Sequence, residues 1–305
     1  MEFFVQLLGT NSALPIHNRF PTSQYVHVND QHFLVDCGEG TQIQLGKYKI
    51  KRNKIDTIFI SHLHGDHVYG LPGLLGSYNH FNRIRPIQIY GPPGLRDFVE
   101  MAIEIAQAKL SYELSITELP PETTGEIKFN NGIKVQYFPL KHRITNFGFR
   151  FNYQSPERNI KKEAIKKFNL TVPMIKAAKR GEDILTESGN ILLNNLLTLP
   201  QMPTLSYAFC SDTVFDTDLI DHVNNVDLLY HETTYLDGME KEAKERMHST
   251  LGQAIFIAEK AQAGVLLTGH YSSRYTDLKE FKAAADNANI TVIIGEEGEK
   301  YYIHS

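Results

Sequence analysis

The run Ser61-His62-Leu63-His64-Gly65-Asp66-His67 constrains this chain more than any other feature. It follows an apolar stretch, Asp56 to Ile60, and precedes Gly70, Leu71, Pro72 and Gly73. Four ligand-type side chains therefore crowd the mouth of a strand. Imidazole and carboxylate are the usual ligands of zinc and its first-row neighbours. In extended backbone, residues 62 and 64 point the same way, so both rings reach one metal. A turn at Gly65 then redirects Asp66 and His67 toward a second position. One metal takes about four ligands, so two metals need partners from distant strand ends. A histidine-rich surface loop is the bland alternative, but His-x-His-x-Asp-His is far more specific than a lone histidine.

The rest of the chain is consistent with a soluble enzyme. Its 305 residues suffice for one large core or two small domains. Hydrophobic residues at 42% and charged residues at 22% are ordinary for a globular protein. The N-terminus opens at once on a strand-like run, Phe3 to Leu8, so no signal peptide is expected. No apolar run approaches the roughly 18 residues of a membrane span. Two cysteines, Cys37 and Cys210, argue against a disulfide framework. The simplest expectation is a cytoplasmic protein with no membrane partner.

Net charge is −4, which argues against a nucleic-acid binder over its whole surface. From Arg158 to Arg180, however, eight Lys/Arg face one acid, Glu163. That stretch carries +7 and leaves −11 on the remainder. A basic island on an acidic body suggests one localised polyanion contact; a solvated helix face is the plain alternative.

Strand patterns cover Gln24 to Val28, His32 to Asp36, Ile55 to Ser61 and Ile87 to Gly91. Helical spacing of apolar residues predicts a helix over Leu95 to Leu110. Further strands are predicted at Tyr112 to Leu119, Ile127 to Leu140, Phe147 to Tyr153, Ser206 to Cys210 and Val226 to Tyr230. Thr250 to Gln262 and Leu278 to Ala288 read as helices, with strands at Val265 to Thr268, Thr291 to Gly295 and Lys300 to Ile303. Mixed strands and helices in both halves suit two sheets packed face to face with helices outside. Residues 155–199 break the rhythm and read as an insertion into a single domain spanning 1–305.

The histidine run is the signature of the metallo-β-lactamase superfamily, which the sequence resembles over nearly its whole length. More narrowly, the chain resembles ribonuclease Z, the tRNA 3′-processing endonuclease. Seven segments carry that likeness in order. They are Leu8-Gly9-Thr10-Asn11-Ser12-Ala13 with Pro15 and Arg19, Asp36-Cys37-Gly38-Glu39-Gly40-Thr41-Gln42, and Leu140-Lys141-His142 with Phe147-Gly148-Phe149. They continue with Cys210-Ser211-Asp212-Thr213, His231-Glu232-Thr233-Thr234, His248-Ser249-Thr250 and Gly269-His270-Tyr271-Ser272-Ser273-Arg274-Tyr275.

The resemblance implies an α/β fold, the αββα sandwich of the metallo-β-lactamases, and two zinc ions per chain. It assigns His62, His64 and His142 to the first metal, Asp66, His67 and His270 to the second, and Asp212 as a bridge. Taken alone, His142 could be an ordinary histidine, and Asp212 a turn or cap residue. Two metals about 3.5–4 Å apart clamp a phosphate and supply a water ionised near pH 7. Asp66 would also orient that water. The resemblance gives His248 the task of protonating the leaving 3′ oxygen, with Glu232 orienting it. His248-Ser249 could equally begin the helix at Thr250. Arg274 suits a phosphate contact or a surface ion pair.

The implied substrate is precursor tRNA, cut to leave a 3′-hydroxyl, by a homodimer in which one subunit's arm serves the other. The insertion falls where the family carries its tRNA-gripping arm, which makes Arg158, Lys176, Lys179 and Arg180 candidate contacts. Here the sequence departs from the pattern. Asn169 to Ile175 stands where a Gly-Pro motif is usual, and Pro156-Glu157-Arg158-Asn159 keeps only part of the preceding loop. Thr233 replaces a common alanine, and Thr268-Gly269 a common Leu-Thr. The rival readings are another hydrolase on this fold (a small phosphodiesterase, an arylsulfatase-like enzyme or a lactonase) and a non-catalytic RNA-binding relative. Retention of all seven ligands opposes the last.

Overall fold

The computed structural model describes residues 2–186 and 189–304. In chain order the first half holds β1 (Phe3–Gly9), β2 (Ser23–Val28), β3 (Gln31–Val35), α1 (Thr41–Lys47), β4 (Thr57–Phe59) and α2 (Gly65–Val68). It continues with α3 (Leu71–His80), β5 (Ile87–Gly91), α4 (Leu95–Ile105), β6 (Leu114–Glu118), β7 (Gly125–Lys128), β8 (Ile133–Leu140) and β9 (Asn146–Tyr153). Within the inserted segment lie α5 (Lys162–Lys167), α6 (Val172–Lys179), β10 (Ile184–Leu185), β11 (Ile191–Leu192) and α7 (Asn194–Leu197). The second half adds β12 (Leu205–Cys210), α8 (Leu219–His222), β13 (Leu228–Glu232), α9 (Glu240–Arg246) and α10 (Leu251–Lys260). It ends on β14 (Val265–Gly269), α11 (Lys279–Ala285), β15 (Thr291–Ile294) and β16 (Lys300–Tyr302).

The strands form two sheets, ordered β16-β1-β2-β3-β4-β5-β6 and β15-β14-β13-β12-β9-β8-β7. β1 shows why they stack. All seven of its residues are buried, with Phe3, Val5 and Leu7 facing the other sheet and Phe4 and Leu8 facing helices. Such two-sided burial demands a layer on each face. Between the sheets Phe33, Phe59, Phe149, Phe151 and Tyr207 interdigitate. Outside, Leu71, Leu74, Leu75, Tyr78 and Val99 cover the first sheet, and Ala254, Ile257, Ala258 and Ala261 the second. The result is the expected αββα sandwich.

Strand polarity places the site. β3 to β6 run parallel, as do β12 to β15. Their carboxyl ends share one edge, and the turns leaving them carry Asp36, His62, Asp212, Glu232 and His270.

Several boundaries differ from the sequence pattern. Ile127 to Leu140 is two strands, because Asn131 (φ 63) and Gly132 (φ 79) turn the chain back. The helix from Leu95 stops at Ile105, with Gln107 left-handed (φ 50) soon after. Helices α1, α3 and α9 gave no clear signal; α1 and α3 carry glycines, and only Ala243 is buried on α9. Cys37 and Cys210 are free and buried. No described helix is long and apolar enough to cross a membrane.

The inserted segment leaves at the end of β9 and returns at the start of β12, where Tyr153 and Leu205 pair. Its stems also pair, through Lys161 N–H to Leu197 O at 2.8 Å and Leu199 N–H to Asn159 O at 2.7 Å. Ala164, Leu170, Ala178, Ile184 and Leu197 form a small apolar cluster of their own.

Candidate metal centre

β4 ends at Phe59, and the chain leaves it extended through Ser61 and His62 before α2 begins at Gly65. The hydrogen bonds behind each ring decide which nitrogen faces forward. His62 Nδ1 lies 3.0 Å from Ser61 Oγ, which itself donates to Asp36 Oδ2 at 2.8 Å. His67 Nδ1 donates to Asp36 Oδ2 at 2.7 Å. His142 Nδ1 donates to the Met247 carbonyl at 2.9 Å. His270 Nδ1 donates to Thr234 Oγ1 at 2.9 Å, and that hydroxyl donates to Glu232 Oε2 at 2.7 Å. In these four residues Nε2 is left to face the centre.

The free atoms fall into two groups. In the first, His64 Nδ1 lies 3.1 Å from His62 Nε2 and 3.2 Å from His142 Nε2. Asp212 Oδ2 lies 3.5 Å from His62 Nε2 and 3.9 Å from His142 Nε2. In the second, His270 Nε2 lies 3.4 Å from both His67 Nε2 and Asp66 Oδ2. Asp212 Oδ1 lies 3.4 Å from His67 Nε2 and 3.2 Å from His270 Nε2. A tetrahedron with metal–ligand bonds of about 2.0–2.1 Å has edges of roughly 3.3–3.4 Å. The spacings scatter around that edge, from 3.1 to 3.9 Å in the first group and from 3.2 to 3.7 Å in the second, where His67 Nε2 and Asp66 Oδ2 are the widest pair. Asp212 turns one oxygen to each, and its buried Oδ1 has no hydrogen-bond partner among the described residues. An unsatisfied buried carboxylate oxygen among acceptor-ready nitrogens fits a cation at each position.

Electrostatics divide the rings: burial acts to lower His67, but the Asp212, Asp66 and Asp36 carboxylates raise it well above the usual imidazole range, so a cation at the second position would take the place of that proton. Burial, with His67 nearby, pushes the His62 imidazole down to about 3, so it is neutral and able to ligate. Burial likewise lowers His64 and His142. Burial would raise Asp66 and Asp212, but the neighbouring His67 and His270 hold both carboxylates ionised.

His248 sits between the two groups, its ring centroid 5.4 Å from that of His142 and 5.3 Å from that of His270. Its Nδ1 donates to Glu232 Oε1 at 3.0 Å. Burial acts to lower its pKa, and the Glu232 carboxylate overrides this, raising it to about 9. Glu232 is fully buried and also accepts from the backbone N–H groups of Thr213, Ser249 and Thr234. Thr250 caps α10 in a capping box with Gln253, so His248 joins the site while the next turn starts the helix.

The seven residues expected as ligands thus converge, with His248 and Glu232 beside them. The residues from farther afield do not join them. Arg274 pairs with Glu242 at 2.5 Å and lies over the Tyr235 ring. In the inserted segment Lys179 pairs with Glu157, and Arg180 with Glu182 at 2.7 Å. Lys176 is exposed and Arg158 half-exposed. Sequence reasoning missed the supports: Asp36, Ser61, Thr234 and the Met247 carbonyl. Two of these four, and one candidate ligand, are marked by backbone geometry. Asp36 (φ 57), Met247 (φ 61) and His270 (φ 59) are all left-handed, a conformation held only where surroundings impose it. Gly269 is similarly forced, since a Cβ there would meet Tyr230 Oη at 2.5 Å.

A Parabacteroides distasonis protein named ribonuclease Z is 39% identical over 297 residues, covering 97% of this chain and 98% of its own. The chain belongs to the ribonuclease Z family. Accordingly it is an enzyme, a metal-dependent endoribonuclease of the ribonuclease Z type. Residues 3–171 also match the family model described as anti-Pycsar protein Apyc1. Among solved structures, human tRNase Z, short form, superposes with a TM-score of 0.73 at 27% identity, covering 99% of this chain and all of that one. The metallo-β-lactamase fold protein YhfI from Bacillus subtilis gives a TM-score of 0.70 at 17% identity, over 99% and 100% of the two chains, and shows the shared fold.

Proposed function

We propose that this chain is a zinc-dependent endoribonuclease that removes the 3′ trailer from precursor tRNA and leaves a 3′-hydroxyl on the tRNA. The observation that carries the reading is the position of His248. It stands between two ligand groups that share Asp212, with a buried carboxylate behind it.

His62, His64, His142 and Asp212 Oδ2 would hold one zinc, and Asp66, His67, His270 and Asp212 Oδ1 the other. Zinc bound there supplies a water acidic enough to ionise near neutral pH and positive charge for the phosphate oxygens. Asp66 orients the water with the carboxylate oxygen left over, since the Ala13 N–H at 2.7 Å holds Oδ2. The oxygen of that water bonds to phosphorus as the P–O3′ bond breaks, and His248 Nε2 gives the departing 3′ oxygen its proton. Glu232 keeps that imidazole oriented and charged. The trailer departs with a 5′-phosphate.

Residues 155–199 would act as a substrate arm. β9 runs seven residue steps from Asn146, whose amide donates to the Asp212 carbonyl, to Tyr153, where the segment leaves. At about 3.3 Å per step the root lies roughly 23 Å from the metal edge. Such an arm grips the tRNA body, or reaches the cleft of a second copy in a homodimer. Counted over 155–199, eight basic residues meet five acidic ones, a net of +3. Exposed ion pairs such as Arg180–Glu182 contribute little in water and yield readily to phosphate. Like the tRNA it processes, the enzyme would reside in the cytoplasm.

The test is cleavage of a precursor tRNA bearing a 3′ trailer, with the product ends mapped, beside a small phosphodiester. The expected result is one cut with a 3′-hydroxyl on the tRNA. Hydrolysis of the small phosphodiester alone would assign the site to a different hydrolase of this fold.

A further inference from the structure

Residues 10–20 form a loop with left-handed residues at Ala13 (φ 68), His17 (φ 56) and Asn18 (φ 58). A backbone of that shape needs bracing, and both of its ends are tied to one side chain. Glu297, between β15 and β16, accepts from Phe20 N–H at 2.6 Å and Thr10 N–H at 3.2 Å, both through Oε1. Its Oε2 accepts from Gln44 Nε2 at 2.8 Å, an amide also tied to the Leu8 carbonyl at 2.7 Å. Inside the loop, Asn11 Nδ2 donates to the carbonyls of Ser12 (3.1 Å) and Leu14 (2.7 Å). Arg19 Nε donates to Asn11 Oδ1 at 3.1 Å. Ser12 N–H meets the Tyr271 carbonyl at 2.9 Å.

At the crest, Ala13 N–H donates to Asp66 Oδ2 at 2.7 Å. That oxygen is the one facing His67 Nε2 at 3.7 Å and His270 Nε2 at 3.4 Å. Among the described residues Asp66 Oδ1 has no hydrogen bond; Oδ2 is held by the Ala13 amide at 2.7 Å and more loosely by the His270 ring at 3.4 Å, so the amide is the shorter of the two bonds that fix how this carboxylate is turned. The clamp and the ligand are thus joined through a short strained loop. Glu297 itself makes no hydrogen bond or ion pair with the seven candidate ligand side chains; its partners are Thr10, Phe20 and Gln44.

We propose that Glu297 is a positioning residue for the second metal: by clamping both ends of the 10–20 loop it delivers the Ala13 amide to Asp66. This rests on the metal-centre reading above. Losing a hydrogen-bond partner behind a ligand typically costs 10–100-fold in metal affinity. Glu297 acts one step further back, through the loop, so the lower end, about tenfold, is expected at the second position only.

The test is a zinc titration of the full-length metal-free protein against a competing chromophoric chelator, which reads the two binding steps separately. Glu297→Ala should weaken one step about tenfold and leave the other unchanged. Glu297→Gln should recover wild-type affinity within a few-fold, because its amide oxygen can still accept from Thr10 and Phe20. Glu297→Asp keeps the charge but withdraws it by one methylene. It should show the same selective loss, and it serves if the alanine variant does not fold. Unchanged binding in both the Ala and Asp variants overturns the proposal, as does equal weakening of both steps or failure of Gln to rescue. A wild-type protein that binds fewer than two zinc ions overturns the metal-centre reading and this inference together. Two zinc ions in wild type with insensitive variants overturn this inference alone.

Discussion

Replacing His248 by alanine separates proton delivery from metal binding. The imidazole gives Glu232 Oε1 one hydrogen bond of 3.0 Å. After its removal Glu232 still accepts from Thr213 N–H (3.2 Å), Ser249 N–H (3.0 Å), Thr234 N–H (2.9 Å) and the Thr234 hydroxyl (2.7 Å). No buried charge is orphaned, so the stability loss should stay near the roughly 1.5–3 kcal/mol of one charged hydrogen bond. The seven candidate ligands are untouched, and two metals should remain. Turnover on precursor tRNA should fall by about 10²–10⁴, the usual scale for general acid catalysis, or roughly 2.7–5.4 kcal/mol of barrier. A small phosphodiester with a nitrophenolate leaving group needs no proton and should slow only a few-fold. Glu232→Ala should behave differently. It also frees Thr234, which holds His270 Nδ1, and strands three backbone N–H groups, so metal affinity and stability should both fall. Equal losses on the two substrates in His248→Ala, or loss of metal from it, would refute the proton-donor role.

Asp212→Ala should release both metals, because each of its oxygens serves one group; elemental analysis retaining two per chain would exclude the bridge. Replacing residues 155–199 by a short turn between the paired ends Tyr153 and Leu205 should preserve the fold. It should weaken precursor tRNA binding and flatten its salt dependence, while hydrolysis of a small phosphodiester stays nearly intact; equal losses on both substrates would give the segment a folding role. Burial pushes the Glu297 carboxyl up to about 7 against the N–H groups that favour its charge. Its folded pKa exceeds the unfolded value, so its contribution is full below about pH 4.5 and is lost as pH rises through about 7. The total is roughly 3 kcal/mol at most. Urea unfolding of the metal-free protein between pH 5 and 8.5 should therefore show a steeper decline in wild type than in Glu297→Gln; parallel curves would contradict this.

Part of the candidate ligand cluster was legible because its chemistry is local. His62, His64, Asp66 and His67 lie in one run, and residue type with spacing nearly specifies their task. His142, Asp212 and His270 were legible only through likeness to a family, since nothing local separates them from a surface histidine or a turn aspartate. Asp36 shows where reading fails. Its role depends on meeting His67 at 2.7 Å and Ser61 at the ends of neighbouring strands, a contact set by sheet register. Glu297 is more remote still, joined to Thr10 across 287 residues. The strands with β-branched and aromatic runs were legible, and α1 and α3 were not, because glycines dilute a helical pattern that packing then enforces. The charge run misled by its limits: Glu157 and Glu182 lie just outside Arg158 to Arg180, yet pair with Lys179 and Arg180.

Anomalous diffraction at the zinc edge, from crystals grown with zinc, tests the centre most directly. Two peaks are predicted, one among His62, His64 and His142 and one among Asp66, His67 and His270, with the Asp212 carboxylate between them. A single peak, or two peaks without Asp212 as a shared ligand, would contradict the two-metal account.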